Sequence, residues 1–301
     1  MTSPPTPQAG PRTGTAILLF SFGIFCFAVN DALGKWLVGD YPVGEIMLIR
    51  SVGVAFFLVP MMVADPGSRR VPAQLGLHGL RILVMAGDTF AFYFATRTLP
   101  LADVMTFYLA APLFVTVMAV LLLGERIGPW RVGALLLGFM GVVIALQPSA
   151  RSLAPGAVVA LGGSLMFASA MVITRRLRQA HWVTLLAGQF AGAGLIGAVV
   201  SSFDWVMPSL VDAALMLLVG LVSMMCFVCV NRALRLAPAS VLAPLQYGAI
   251  VWAVLLGWVV WGDLPTPAMW TGIACIVASG VIIWLRERRD GRQLAVEVQA
   301  V

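Results

Sequence analysis

The residues able to do chemistry are few and stand where charge is costly. In VNDALGKWLV (Val29 to Val38), Asn30, Asp31 and Lys35 interrupt an apolar run that begins near Thr15. Asp31 and Lys35 are one helical turn apart on one face, so on one reading Lys35 reaches toward the headgroups while Asp31 neutralises it. On the other reading they belong to a larger set, because helix rise puts Glu45, Arg50, Asp88, Arg97 and Asp103 in the same half of a bilayer. Ionisable groups in a membrane are expensive and face a polar interior or one another. The set is therefore expected to line or close one end of a central cavity, as a gate. Asp88, in GDTFAFY (87–93), is the deepest of these acids. It suits a proton carrier, a partner for a cationic or zwitterionic substrate, or a fixed salt bridge to Arg50. Near its depth fall Thr89, Phe92 and Tyr108, with Ser164, Gln246, Tyr247 and Trp252 from the second half of the chain. Aromatic rings with a few polar groups suit a ring-bearing or cationic metabolite through stacking and cation–π contact.

Catalytic constellations do not emerge. His78 and His181 lack HExxH or GxSxG surroundings, and no Walker motif is present, so no catalytic residue is assigned and direct ATP hydrolysis is unsupported. Cys26, Cys226, Cys229 and Cys275 all fall in apolar runs and read as small packing residues. Neither a metal nor another cofactor is expected.

The elements that must position these groups are membrane helices. Of 301 residues 60% are hydrophobic and 11% charged, with a mean hydropathy of +0.97; a water-soluble globule has about 25% charge. Spanning helices of about 20 residues are expected over 15–37, 43–63, 75–96, 100–122, 128–147, 155–174, 182–202, 209–232, 239–261 and 266–285. Continuous apolar runs argue against a barrel of alternating strands. The opening MTSPPTPQAG with Pro11 is not expected to be helical, and it lacks the basic cluster of a signal peptide. Of the 19 Lys and Arg residues, 14 fall on the N-terminal side of these spans and only Lys35, Arg97 and Arg151 on the other. The positive-inside rule then puts both termini in the cytoplasm and the gate at the outer end.

The chain also repeats itself. An offset of 138 aligns Ala95 with Ala233, Arg97 with Arg235, Pro100 with Pro238, Gly124 with Gly262 and Glu125 with Asp263. Each copy holds five spans, an odd number, so the copies are inverted in the membrane. Inverted repeats give a carrier a route to alternating access around a midplane site. The organisation expected is a disordered tail (1–14), a first five-helix repeat (15–147), a linker (148–154), a second five-helix repeat (155–285) and a basic cytoplasmic tail (286–301). Glu125 and Asp263 start the helices that follow them, where an anion is favourable, so they read as hairpin caps, with gating or proton carriage the other possibility. Gly188, Gly192, Gly194 and Gly197 look like internal close-packing faces, with homodimer contacts the alternative.

Proline-small at the start of the fourth and ninth helices, glycine-acid at their ends and a Gly-rich following helix resemble the EamA repeat of the drug/metabolite transporter superfamily. The resemblance covers 15 to 285, and Asp263 departs from it only by replacing Glu. DALGKWL, YPVGEIMLIRS and APLQYGAIVWAVLLGW are similar to the bacterial S-adenosylmethionine-uptake branch. The resemblance implies a secondary transporter of the inner membrane rather than an enzyme, moving an amino acid, an S-adenosylmethionine-like compound or another cationic or zwitterionic metabolite. Riboflavin or quaternary-amine transport on the same fold is the alternative, and a channel-like facilitator the alternative from another class. Partners are then the substrate, the lipid bilayer and protons as a coupling ion; nucleic acid is not expected.

Overall fold

A computed structural model describes residues 11–69, 74–123, 129–146, 155–177, 179–236, 242, 245–246 and 248–299. Every regular element among the described residues is helical: α1 (Pro11–Leu37), α2 (Val43–Ala64), a 3-10 turn (Pro66–Arg69), α3 (Leu75–Thr98), α4 (Leu101–Tyr108), α5 (Ala111–Leu123), α6 (Pro129–Leu146), α7 (Pro155–Arg176), α8 (Trp182–Ser201), α9 (Leu210–Leu236), α10 (Gly248–Trp261) and α11 (Pro267–Gln299). Six of them, α1, α2, α3, α7, α8 and α9, are long and apolar enough to cross a membrane. Shorter apolar helical stretches run over Leu101–Val115, Val132–Ala145, Gly248–Trp261 and Pro267–Ile282.

Three boundaries differ from expectation, two of them at prolines. Pro11 opens α1, because a proline is tolerated at the first helical position, where its missing N–H would have no partner. The fourth run, expected as one helix over 100–122, is broken into α4 and α5 with the interruption at Leu109 and Ala110. Pro112 has no N–H to bond the Tyr108 carbonyl, so the ladder cannot continue through it. In the second half the described helix runs from Gly248, and most of the expected stretch 239–247 lies outside the described residues. Finally, α11 continues past 285 through the basic stretch to Gln299.

Helices in lipid gain no hydrophobic drive from meeting one another, so they associate through close backbone approach. On α2 and α9, Gly53 lies against the Leu217 carbonyl oxygen and Gly220 against that of Arg50. On α6 and α11, a Cβ at Gly272 would stand 2.7 Å from the Gly141 carbonyl oxygen. Gly44 of α2 lies against Ser201 at the end of α8, while Ser68, just past α2, accepts a hydrogen bond from Thr184 at the start of α8. Hence α2 and α8 are antiparallel. Gly188 and Gly192 face His78 and Ile82 of α3, and Gly194 and Gly197 face Ser51, Met47 and Gly44 of α2, so all four are internal contacts.

The packing is symmetric under exchange of the halves. The principal pairs are α1 with α9, α3 with α7, α2 with α8 and α6 with α11. Exchanging each helix for its repeat partner turns the first pair into the second and leaves the other two unchanged. The lesser pairs obey the same rule: α2 with α9 becomes α8 with α3, and α1 with α10 becomes α7 with α4 and α5. The arrangement fits a two-repeat fold whose copies interleave.

Candidate functional site

Five helices bring polar side chains together near mid-depth. From α1, Asn30 is buried and its Nδ2 donates to Asp31 Oδ1 at 3.2 Å. From α9, Ser223 Oγ donates to Asn30 Oδ1 at 2.7 Å and accepts from Arg50 Nη2 of α2 at 3.3 Å. The other arm of Arg50, Nη1, donates to Tyr93 Oη of α3 at 2.6 Å. Asp88, also on α3, accepts from Tyr108 Oη of α4 at 2.8 Å. Local sequence explains these positions: Gly34 of α1 leaves room for the Tyr93 ring, and Gly163 of α7 for the Tyr108 hydroxyl.

The electrostatics are unusual. Arg50 and Asp88 are 9% and 8% exposed, and Asp31, Asp88 and Arg50 lie within electrostatic reach of one another. Yet among the described residues no ion pair joins them: Arg50 is held by a phenol and a hydroxyl, and its Nε has no partner. The guanidinium lies 5.5 Å from the Tyr93 ring centroid and 5.6 Å from that of Phe190. Phe92 meets Tyr108 edge-on at 5.3 Å. The charges are positioned by neutral groups and stay available to a third party.

A separate pair lies toward the end of α1. Lys35 Nζ is 3.0 Å from Asp263 Oδ2, not paired with Asp31 as the one-turn spacing suggested, and it sits 4.6 Å from the Trp261 ring centroid. The reason is the end of α10. Gly262 takes φ 74°, a left-handed conformation natural to glycine, and its N–H bonds the Trp258 carbonyl. That turn aims Asp263 back at α1, so this acid bridges the two halves instead of only capping its own hairpin. Asp103 lies within electrostatic reach of both partners.

Other expected site residues fall elsewhere. Glu45 is fully buried, with Oε2 accepting from Val206 N at 3.2 Å, and so holds the segment between α8 and α9. Arg97 is exposed at the end of α3. Thr89 is turned onto its own helix through Met85 O, and Gln246 is exposed. Trp252 packs edge-on against Phe25 of α1 at 4.8 Å. Ser164 is buried with its hydroxyl unpartnered among the described residues. Gly124, Glu125, Pro238 and Tyr247 lie outside the described residues; Pro100 precedes α4, and Gly262 and Asp263 are placed above. Asn30, Tyr93 and Ser223 were not singled out from sequence as site residues, since Asn, Tyr and Ser inside apolar runs are ordinary until their neighbours are known.

A bundle of long apolar helices with polar and charged side chains of five helices meeting in its interior and two interleaved repeats fits a solute transporter. The chain belongs to the EamA-like transporter family, whose pattern matches residues 14–147 and 154–285. Among similar proteins are the pseudopaline exporter CntI of Pseudomonas aeruginosa, 29% identical over 89% of this chain and 93% of that one, and the riboflavin transporter of Rhizobium johnstonii, 26% identical over 72% and 73%. The S-adenosylmethionine uptake transporter of Rickettsia conorii is 21% identical over 91% and 94%. A solved crystal structure superposes with a TM-score of 0.66 at 22% identity, covering 91% of this chain and 98% of that one. The protein is a membrane-embedded small-molecule transporter, not an enzyme.

Proposed function

We propose that the protein is a secondary carrier that moves a small zwitterionic or cationic metabolite across the bacterial inner membrane by alternating access. The observation that carries this reading is the trio of half-buried Asp31 with buried Asp88 and Arg50, held by neutral partners and, among the described residues, not paired among themselves. A substrate bearing an ammonium or sulfonium and a carboxylate completes all three charges, the carboxylates taking the cation and Arg50 the anion. Phe92, Tyr108 and Tyr93 offer faces to its apolar part. The names of the relatives, which move pseudopaline, riboflavin and S-adenosylmethionine, support a small organic metabolite; on the charge trio we place amino-acid-like and S-adenosylmethionine-like compounds first and riboflavin second.

The scheme has ten spans with both termini cytoplasmic, supported by the arginine bias of the loops. Lys35 and Asp263, one from each half, then hold the outer mouth shut, and their separation opens it. Protons are the natural coupling ion, with Asp88 or Asp31 as carrier. The test is a thermal-unfolding screen of purified protein against S-adenosylmethionine, amino acids, riboflavin and quaternary amines, followed by flux in liposomes. A ligand at about 100 times its dissociation constant adds roughly 2.7 kcal/mol. A zwitterion that stabilises the wild type but not Asp88→Asn supports the reading. Stabilisation by riboflavin alone, unaffected by Asp88→Asn, overturns it.

A further inference from the structure

A second buried guanidinium lies outside the trio. Arg81 of α3 is 6% exposed. Its Nε donates to Thr174 Oγ1 of α7 at 2.7 Å, Nη1 to Leu185 O of α8 at 2.9 Å and Nη2 to Gln189 Oε1 of α8 at 3.4 Å. All three acceptors are neutral, and among the described residues no ion pair reaches Arg81. One turn earlier, His78 is 8% exposed with Nδ1 unpartnered among the described residues. Hydrogen bonds to neutral oxygens satisfy donors but leave the charge unmet, and a buried unmet charge is costly. A guanidinium has five N–H donors in a fork that fits a carboxylate.

The position of this cluster is not arbitrary. Arg50 is the eighth residue of α2, and Gln189 the eighth of α8. Since α2 and α8 are antiparallel repeat partners, these two residues lie in opposite halves of the bilayer, each roughly 10 Å from the start of its helix. The Arg50 cluster joins α2 to α9 through Ser223, and Ser223 to α1 through Asn30. Exchanging the repeats turns α2, α9 and α1 into α8, α3 and α7, the helices that supply Gln189, Arg81 and Thr174. The Arg81 cluster is built on the repeat-partner helices of the Arg50 cluster, with the guanidinium on the third helix of a repeat in place of the second.

We infer that the Arg81 cluster is a second carboxylate-binding site on the substrate path, occupied when the carrier opens on the side opposite the Lys35–Asp263 pair. The inference rests on the carrier reading above and deepens it. Thr174 and Gln189 are placeholders that a bidentate carboxylate displaces, and His78 Nδ1 is the unspent group beside them. Arg50 takes the anionic group in one orientation of the carrier and Arg81 in the other.

The test uses sodium acetate, a small alkyl carboxylate, as probe. It replaces sodium isethionate at constant ionic strength while the thermal midpoint of the full-length protein is recorded, with acetamide as the neutral control. A saturable rise is expected in the wild type. Arg81→Gln should raise the half-saturating acetate at least about tenfold, and Arg81→Lys should fall between. Arg50→Gln should keep a saturable response. Wild-type indifference to acetate, or an Arg81→Gln response equal to wild type, overturns the second site. Should Arg81→Gln fail to purify, Thr174→Val and Gln189→Leu keep the charge and free the fork. Tighter acetate binding supports the site, whereas a lower midpoint with unchanged acetate response reduces Arg81 to a helix clamp. Zwitterion flux and its Asp88 dependence are measured without acetate and without any Arg81 variant, so their survival alongside acetate indifference removes this site alone; loss of Asp88-dependent flux removes the carrier reading and the site with it.

Discussion

At the scale of single residues the question is which charges are spent and which are held in reserve. Asp88 is held by one phenol, so Tyr108→Phe removes a hydrogen bond worth about 1 kcal/mol and leaves the carboxylate in place. A thermal midpoint lowered by that amount, with ligand specificity retained, is the expected result. Asp88→Asn should instead retain the fold and weaken binding of a cationic ligand by tenfold or more, about 1.4 kcal/mol, measured by ligand titration of the unfolding midpoint. Asp31, Lys35 and Asp88 could be picked out from sequence because charge inside an apolar run is rare. The partner of Lys35 could not, since it lies 228 residues away and depends on the turn that Gly262 makes. Ser223 carried no visible signal, and Asn30 showed only as a polar break in its apolar run, because a hydroxyl or amide in a membrane helix reveals its role only through what crosses it.

At the scale of elements, the crossings of the bundle are set by glycine. Gly220→Leu drives a side chain into the Arg50 carbonyl, at the crossing that also aims the Arg50 side chain. Overpacking of this kind costs about 1 to 3 kcal/mol, so a lower midpoint together with lost ligand binding is expected. Gly133→Leu, at a glycine with nothing within 4 Å, should change the midpoint by no more than about 0.5 kcal/mol. Comparing the two in one unfolding series separates packing from helix propensity. The long helices α1, α2, α3, α7, α8 and α9 were legible as runs of apolar residues. The break before α5 was not, although Pro112 was in view, because hydropathy carries no information on where a helical ladder loses a bond.

At the scale of the whole molecule, the interleaved halves make the Lys35–Asp263 pair a link between repeats. Lys35→Gln or Asp263→Asn should each lower flux several-fold, and the exchanged double variant, Lys35→Asp with Asp263→Lys, should recover much of it. A double-mutant cycle on initial flux rates reads the coupling; additive losses without recovery would show that the two residues act separately. Basic-loop counting and the repeat offset were enough to anticipate two copies, while the pairing of particular helices across the copies needed the structure.

The unlike chemistry of residues at equivalent steps, Arg50 in one copy and Gln189 in the other, has a kinetic consequence. A scaffold with identical halves would saturate alike from either face. Here the anionic group of the cargo meets its guanidinium on the second helix of one copy and the third helix of the other, so half-saturation differs between the faces. For uncoupled movement, detailed balance still requires equal ratios of maximal rate to half-saturation constant on the two sides. The face with the tighter grip must then also be the slower to unload, and the carrier behaves as a valve that fills readily at one face and runs fast only at the other.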